Sequence, residues 1–294
     1  MTRNAHNLLL EGFTTIRDLE TEGAGYADVA VRNAIRDGVT PGPRMKVATR
    51  ALDVTGAYPL LGYAPEIEPV LPKAVQTCDG PDECRKAVRE QISNGADWIK
   101  IYVDRSYFIV PKSKVLNDVP TFTLEEVKAM VDEAHRERHP VAAHAMALQG
   151  VHNAVEACVD SIEHGDYIAP EDMQMMLAKG IWVDMIDMHH QTFQRALKAG
   201  LKIAYGTDIG GFDWKINDAI QFPSMVKNGM APAQAIKSAT SDAAQLLRMS
   251  DQIGSVEAGK LADIIAVAGD PLQDVGLLQK VDFVMKDGVV YRKP

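Results

Sequence analysis

Val141-Ala142-Ala143-His144-Ala145 reads as a short apolar strand, the spacing over 148–157 as a helix, and Ser161-Ile162-Glu163-His164 as a second strand stopped by Gly165. Strand, helix, strand in that order is one parallel crossover unit, because parallel neighbours need a connection long enough to return along the sheet. The alternation continues outward on both sides. Upstream lie a strand at Thr14-Thr15-Ile16-Arg17-Asp18, a helix over 27–37 stopped by Gly38, and a strand over 44–50. A Gly/Pro/Tyr-rich loop over 53–80, a helix over 82–94 closed by Gly95 and the strand Trp98-Ile99-Lys100-Ile101-Tyr102-Val103 follow. After a second long loop over 104–120, Thr123 caps the next helix, with carboxylates in its first turn. Downstream come a helix over 170–179, a strand over 181–185, a helix over 191–199 and a strand over 202–205 that runs into Gly206-Thr207-Asp208. One long final helix is expected over 232–249.

The fold class this predicts is α/β, a (β/α)8-type TIM barrel with its first strand apparently missing, over residues 1–250. Residues 251–294 change character: two strand-like runs and the turn Lys286-Asp287-Gly288 predict a small β appendage. A chain of 294 residues accommodates one barrel and such an addition.

The net charge of −9 disfavours a nucleic-acid partner, which needs a basic surface. No apolar run reaches membrane-spanning length, and the first residues do not resemble a signal peptide, so no membrane partner and a cytoplasmic location are expected. The odd count of 3 cysteines gives no disulfide framework. Cys78 and Cys84 bracket a Gly-Pro turn and are read as two free thiols at a loop and a helix start, in a reducing compartment.

In a parallel barrel, chemistry gathers at the carboxyl ends of the strands. Lys100, His144, His164 and Asp208 each stand at such an end, on different strands. Lys100 is the most telling: between Ile99 and Ile101, an ammonium must be paired, neutralised or modified, or else snorkel outward. Singly, His144 and His164 read as satisfied core residues and Asp208 as a helix cap. Together they predict a metal or acid–base site. Tyr102, Arg105, His189 and His190 lie near the same face as candidates for contacting substrate, whereas His135, His139 and His152 fall in or beside helices and are expected to face solvent.

These motifs resemble the amidohydrolase superfamily, in its imidazolonepropionase-like and Xaa-Pro dipeptidase-like branch. The carrying segments are Gly12-Phe13-Thr14-Thr15-Ile16-Arg17-Asp18, Gly95-Ala96-Asp97-Trp98-Ile99-Lys100, Ala142-Ala143-His144-Ala145, Ile162-Glu163-His164-Gly165, Tyr205-Gly206-Thr207-Asp208 and Gly254-Ser255-Val256-Glu257-Ala258-Gly259-Lys260-Leu261-Ala262-Asp263. The resemblance implies a carboxylated lysine at Lys100 and a divalent metal, zinc first, held by Lys100, His144 and His164. It implies that Asp208 is both a ligand-side carboxylate and the proton carrier. The implied activity is hydrolysis of an amide bond in a dipeptide, an N-acyl amino acid or a cyclic amide by metal-activated water.

The chain departs from the family pattern in two places. It carries no His-X-His pair ahead of Gly12-Phe13-Thr14-Thr15, and Asp187-Met188-His189-His190 leads straight into Gln191 where the family often has a long excursion. The first departure leaves a second reading standing, an inactive or truncated barrel acting as a binding protein. An uncovered barrel edge also leads to the expectation of a homo-oligomer.

Overall fold

A computed structural model describes residues 1–57, 74–105, 118–184, 190–211 and 213–294. The elements run α1 (Thr2–Leu10), β1 (Thr15–Asp18), α2 (Ala27–Arg36), β2 (Arg44–Val47), β3 (Leu52–Asp53), β4 (Gln76–Thr77), α3 (Pro81–Ser93) and β5 (Ile99–Tyr102). Then follow α4 (Leu124–Arg136), β6 (Val141–Ala145), α5 (Leu148–Glu156), β7 (Ser161–His164), α6 (Pro170–Lys179), β8 (Trp182–Asp184), α7 (His190–Ala199) and β9 (Lys202–Ala204). The chain ends with α8 (Gln221–Lys227), α9 (Pro232–Ser238), α10 (Ser241–Leu246), β10 (Ile264–Ala266), β11 (Phe283–Lys286) and β12 (Val289–Arg292).

Local chemistry accounts for the boundaries. Thr123 and Glu126 form a reciprocal capping box at the start of α4, which satisfies amides that the first turn leaves open. Helix α6 starts on Pro170, whose missing N–H costs nothing there, and stops on Gly180 in the left-handed region, φ 72°. The single helix expected over 232–249 is two. Thr240 leaves helical geometry at φ −125°, ψ −98°, and its hydroxyl donates to the Ile236 carbonyl at 2.8 Å, a local bond that competes with the helix ladder.

Among the described residues, the strands β1 to β9 pair only in parallel. One sheet of seven strands has the order β4-β3-β5-β6-β7-β8-β9, and β1 pairs with β2 in a separate sheet. This adds to the expected strand set: β4 lies inside the stretch read as one loop and β3 at its start, each too short to show any period. Helix α1 is also an addition to the sequence reading, and His6 sits within it. The two sheets meet where the Val47 carbonyl accepts the amides of Asp97 at 2.7 Å and Trp98 at 3.1 Å, just ahead of β5.

Because strand side chains alternate, each strand offers one face to the helices and one to the interior. The helix-facing set, including Ile99, Ile101, Val141, Ala143, Ile162 and Val183, packs with α3 to α7 as the main apolar core. The opposite set holds a small apolar floor of Ala48, Trp98, Ala142, Trp182, Ala204 and Leu246. Above that floor the interior turns polar. Arg17 of β1 donates to Ser161 at 2.9 Å and to Glu163 at 2.8 Å on β7, so the inner faces of the two sheets look at each other.

The β appendage is present as an antiparallel sheet, β10-β11-β12. Its hairpin turns through Asp287 at φ 51° and Gly288 at φ 77°, the two positive values that a tight right-twisted hairpin requires. Arg44 of β2 ties it to the β1-β2 sheet through Asp263 at 3.0 Å and Asp287 at 2.6 Å, and Leu9 of α1 packs on Val281 and Val284.

Candidate active site

Lys100 is 5% exposed, on a strand whose other residues are also buried. Burial holds its ammonium below the ordinary lysine value; Glu163, Glu20 and Asp208 oppose that shift, and Arg17 adds to it. A lysine so placed has an unusually available amine lone pair. Its Nζ lies 5.3 Å from the centre of the Tyr102 ring, which in turn packs 4.8 Å from the His144 ring.

His144 faces the interior by register, opposite Tyr102 on β5 and Glu163 on β7. Strand alternation alone would send His164 with Ile162 toward the helices. Instead its backbone is left-handed, φ 75°, and the ring swings inward until its centroid is 4.7 Å from that of His144, edge to face. Burial drives the His144 imidazole well below the ordinary histidine value, and His164 and Lys100 add to the shift. Burial and Lys100 likewise lower His164 to about 4, against Glu163. Both rings are therefore neutral at physiological pH, the state in which imidazole binds a metal. The Asp104 carboxylate approaches His144 Nε2 at 3.8 Å while accepting the Met146 and Ala147 amides at 3.0 Å each.

Asp208 stands past the end of β9, at the solvent side of the mouth, and also has a left-handed backbone, φ 49°. Loss of hydration raises its carboxyl above the ordinary value; Lys100 opposes this, while Glu22 and Glu163 reinforce it. Left-handed backbone is uncommon for residues other than glycine, and its presence at both His164 and Asp208 is the kind of local strain that accompanies preorganised sites.

Several interior groups escaped the sequence reading. Glu163 accepts from Arg17 and Ser161 directly below His164. Desolvation would raise its carboxyl, but Arg17, Lys100 and the Ser161 hydroxyl together bring it below the ordinary value. Asp184 lies 3.6 Å from Arg17, and burial with Glu163 and Asp208 nearby pushes it up to about 8, against Arg17 and Lys100. Glu20 accepts the Tyr102 hydroxyl at 2.5 Å, and burial together with Glu22 pushes it up to about 8, against Tyr102 and Lys100. The available signal was the one that singled out Lys100: Glu163 and Asp184 are charged residues at inward positions of apolar strands.

The weaker candidates fall differently. Tyr102 lines the site beside Lys100 and His144. Arg105 follows Asp104, which bridges to Pro120, and donates its amide to the Val119 carbonyl at 3.0 Å; its Nε is buried without a hydrogen-bond partner. His190 begins α7 in an exposed position. His189 lies outside the described residues, as do 58–73 and 106–117 of the two long loops.

Among the described residues, no three His, Cys, Asp or Glu side chains form a ready cage for a metal ion. The donor set nevertheless fits one divalent ion once Lys100 is counted. Two neutral imidazoles face each other, and a depressed lysine on the adjoining strand has the free amine needed to become an anionic oxygen donor.

Parallel strands that present imidazoles, a lysine and an aspartate at their carboxyl ends define an α/β enzyme. More narrowly, the chain belongs to the amidohydrolase family, whose sequence model matches residues 1–291. It is 29% identical over 343 aligned residues to ochratoxinase from Aspergillus niger, covering 100% of this chain and 68% of that protein. A shorter match, 27% over 164 residues, joins 51% of the chain to 41% of the imidazolonepropionase of Pyrobaculum arsenaticum. Among solved structures, a Xaa-Pro dipeptidase with bound methionine in the active site superposes with a TM-score of 0.88 at 33% identity, over 99% of this chain and 78% of that one. These relatives carry the names of hydrolases that act on carbon–nitrogen bonds, the enzyme class to which the chain belongs. Among the described residues, no helix is long and apolar enough to cross a membrane.

Proposed function

We propose that the chain hydrolyses an amide bond in a small molecule, such as a dipeptide, an N-acyl amino acid or a cyclic amide. In this reading Lys100, as its carbamate, holds one divalent metal together with His144 and His164, with zinc favoured by the imidazole-rich set. The observation that carries the proposal is the 4.7 Å approach of two neutral imidazoles beside a buried, depressed lysine. The names of the relatives, ochratoxinase and Xaa-Pro dipeptidase, support an amide as the bond broken.

The metal, when bound, supplies Lewis acidity and lowers the pKa of water at the site. The chain's own groups do the rest. Asp208, its carboxyl raised above the ordinary value by loss of hydration, accepts a proton from the attacking water and delivers it to the departing amine nitrogen. His144 and His164 remain uncharged and fixed. Glu163, anchored by Arg17 and Ser161, is the nearby negative charge that most opposes the lowering of Lys100 by burial. Tyr102, its hydroxyl committed to Glu20, serves as a wall beside His144.

The test joins elemental analysis to a hydrolysis panel of dipeptides, N-acyl amino acids and cyclic amides, with and without a chelator. Chelator-sensitive cleavage by wild type and none by Lys100→Ala is the expected result. A wild-type chain that binds no metal and cleaves nothing would overturn the proposal in favour of a non-catalytic barrel.

A further inference from the structure

Away from the interior, the turn between β4 and α3 brings two sulfurs together. Cys78 follows the last residue of β4, and Cys84 lies in the first turns of α3. Their Sγ atoms are 2.7 Å apart, and both residues are fully buried. Between them the chain reverses through Gly80, whose φ of 79° is the left-handed value that lets so short a segment fold back. The reversal is held from outside: the Gly80 amide donates to Glu126 of α4 at 2.7 Å, and the Asp79 carboxylate accepts the Thr55 amide at 3.1 Å and its hydroxyl at 2.6 Å. The sulfurs are thus positioned by β4, α3, α4 and the segment that follows β3.

We propose that Cys78 and Cys84 are a reversible disulfide site that staples edge strand β4 to helix α3. The reaction takes a low-molecular-weight disulfide of the glutathione type as oxidant. One cysteine thiolate attacks it, forming a mixed disulfide and releasing one small thiol. The second cysteine then attacks its neighbour's sulfur and expels the other small thiol. Two protein S–H bonds are lost, one protein S–S bond is gained, and both protons end on the released thiols. The hydrogen bond with Cys84 and burial raise the Cys78 thiol, so exchange is slow while the turn is closed. Asp79, Asp82 and Glu83 on the turn are exposed, and opening this short surface segment uncovers the sulfurs without unfolding the sheet. Cys158 is exposed and elsewhere, and it takes no part.

The test uses the full chain, equilibrated across mixtures of oxidised and reduced glutathione and then alkylated under denaturing conditions. Trypsin releases Cys78 and Cys84 together, because the nearest cleavable residues are Lys73 and Arg85. The expected result under oxidising mixtures is one unalkylated peptide lighter by two hydrogen atoms, with Cys158 alkylated or carrying glutathione. A reductant should restore two alkylated positions. In Cys84→Ser, Cys78 should accumulate as the glutathione adduct. Two alkylatable thiols across the whole series, a stable adduct on the wild-type pair, or pairing with Cys158 would each overturn the proposal. The wild-type measurement stands alone if the variant fails to fold.

Discussion

His164 reaches His144 because its backbone is left-handed: at φ 75° the ring leaves the helix side of β7 and comes within 4.7 Å of its neighbour's. A residue at the same place with ordinary strand geometry would point into the apolar layer beside Ile162. The metal site proposed here therefore depends on a backbone conformation as much as on residue type.

From that follows a prediction about stoichiometry. The 294 residues contain no His-X-His pair, and among the described residues Lys100, His144 and His164 supply the proposed nitrogen-and-carbamate set. A second position built from Asp208 and one carbamate oxygen would lack imidazole and bind first-row metals loosely. Dialysed protein should retain at most one metal per chain. Lys100→Ala should lose it, and His164→Asn, which tolerates the left-handed backbone, should weaken binding by more than the roughly 10–100-fold typical of losing an outer-shell partner. Two metals retained per chain, or an unchanged ratio in Lys100→Ala, would refute this.

The histidines set a pH window. Because His164 is lowered to about 4 and His144 is also lowered, both rings stay unprotonated as pH falls through 6.5, where a solvated histidine gains its proton. Protonation, and with it loss of the donor, comes only as pH approaches 4. Metal-free protein titrated with cobalt(II) should keep its ligand-field absorption down to about pH 5 and lose it near 4. A half-loss close to 6.5 would mean that the rings are hydrated, contrary to the structure.

Arg17 is the single cation tied directly to Glu163 and Asp184, at 2.8 and 3.6 Å, among the described ion pairs of the interior. Removing it leaves the buried Glu163 carboxylate without its main counter-charge. Arg17→Met should cost about 3–5 kcal/mol, the range for breaking a buried pair from one side. Urea unfolding reads this directly. A cost below about 1 kcal/mol would place the pair in the class of surface bridges.

The sequence made much of this site visible. Lys100, His144 and His164 were identifiable because each interrupts or ends an apolar strand, and strand type and position were readable from the βαβ rhythm. Arg17, Glu163 and Asp184 were not identified, although Trp98-x-Lys100, Ser161-x-Glu163 and Trp182-x-Asp184 share one inward period of two. Strands β3 and β4 had no readable period at two residues each. The break at Thr240 had neither glycine nor proline to announce it. The inward turn of His164 is a property of φ that a histidine codon does not encode.

Gly206 offers a test of how closely the interior is built. A Cβ at this position would stand 2.0 Å from Asp184 Oδ1 and 2.1 Å from Oδ2, distances no real contact shows. Asp184 has little room to yield, since it is held near Arg17 and its Oδ1 is already buried without a hydrogen-bond partner. Gly206→Ala must therefore displace the Asp184 side chain from its place beside Arg17. The expected cost is about 1–3 kcal/mol, the range for overpacking a filled interior. Gly210 is the control: a Cβ there meets nothing within 4 Å, and Gly210→Ala should stay within about 0.5 kcal/mol of wild type. The double variant Gly206→Ala with Asp184→Ala separates the steric effect from backbone preference. If the clash is with the carboxylate, the two substitutions couple, and the glycine change becomes nearly silent once the carboxylate is gone. Additive costs in urea unfolding would show that Gly206 is required for its backbone and that the Asp184 contact is incidental.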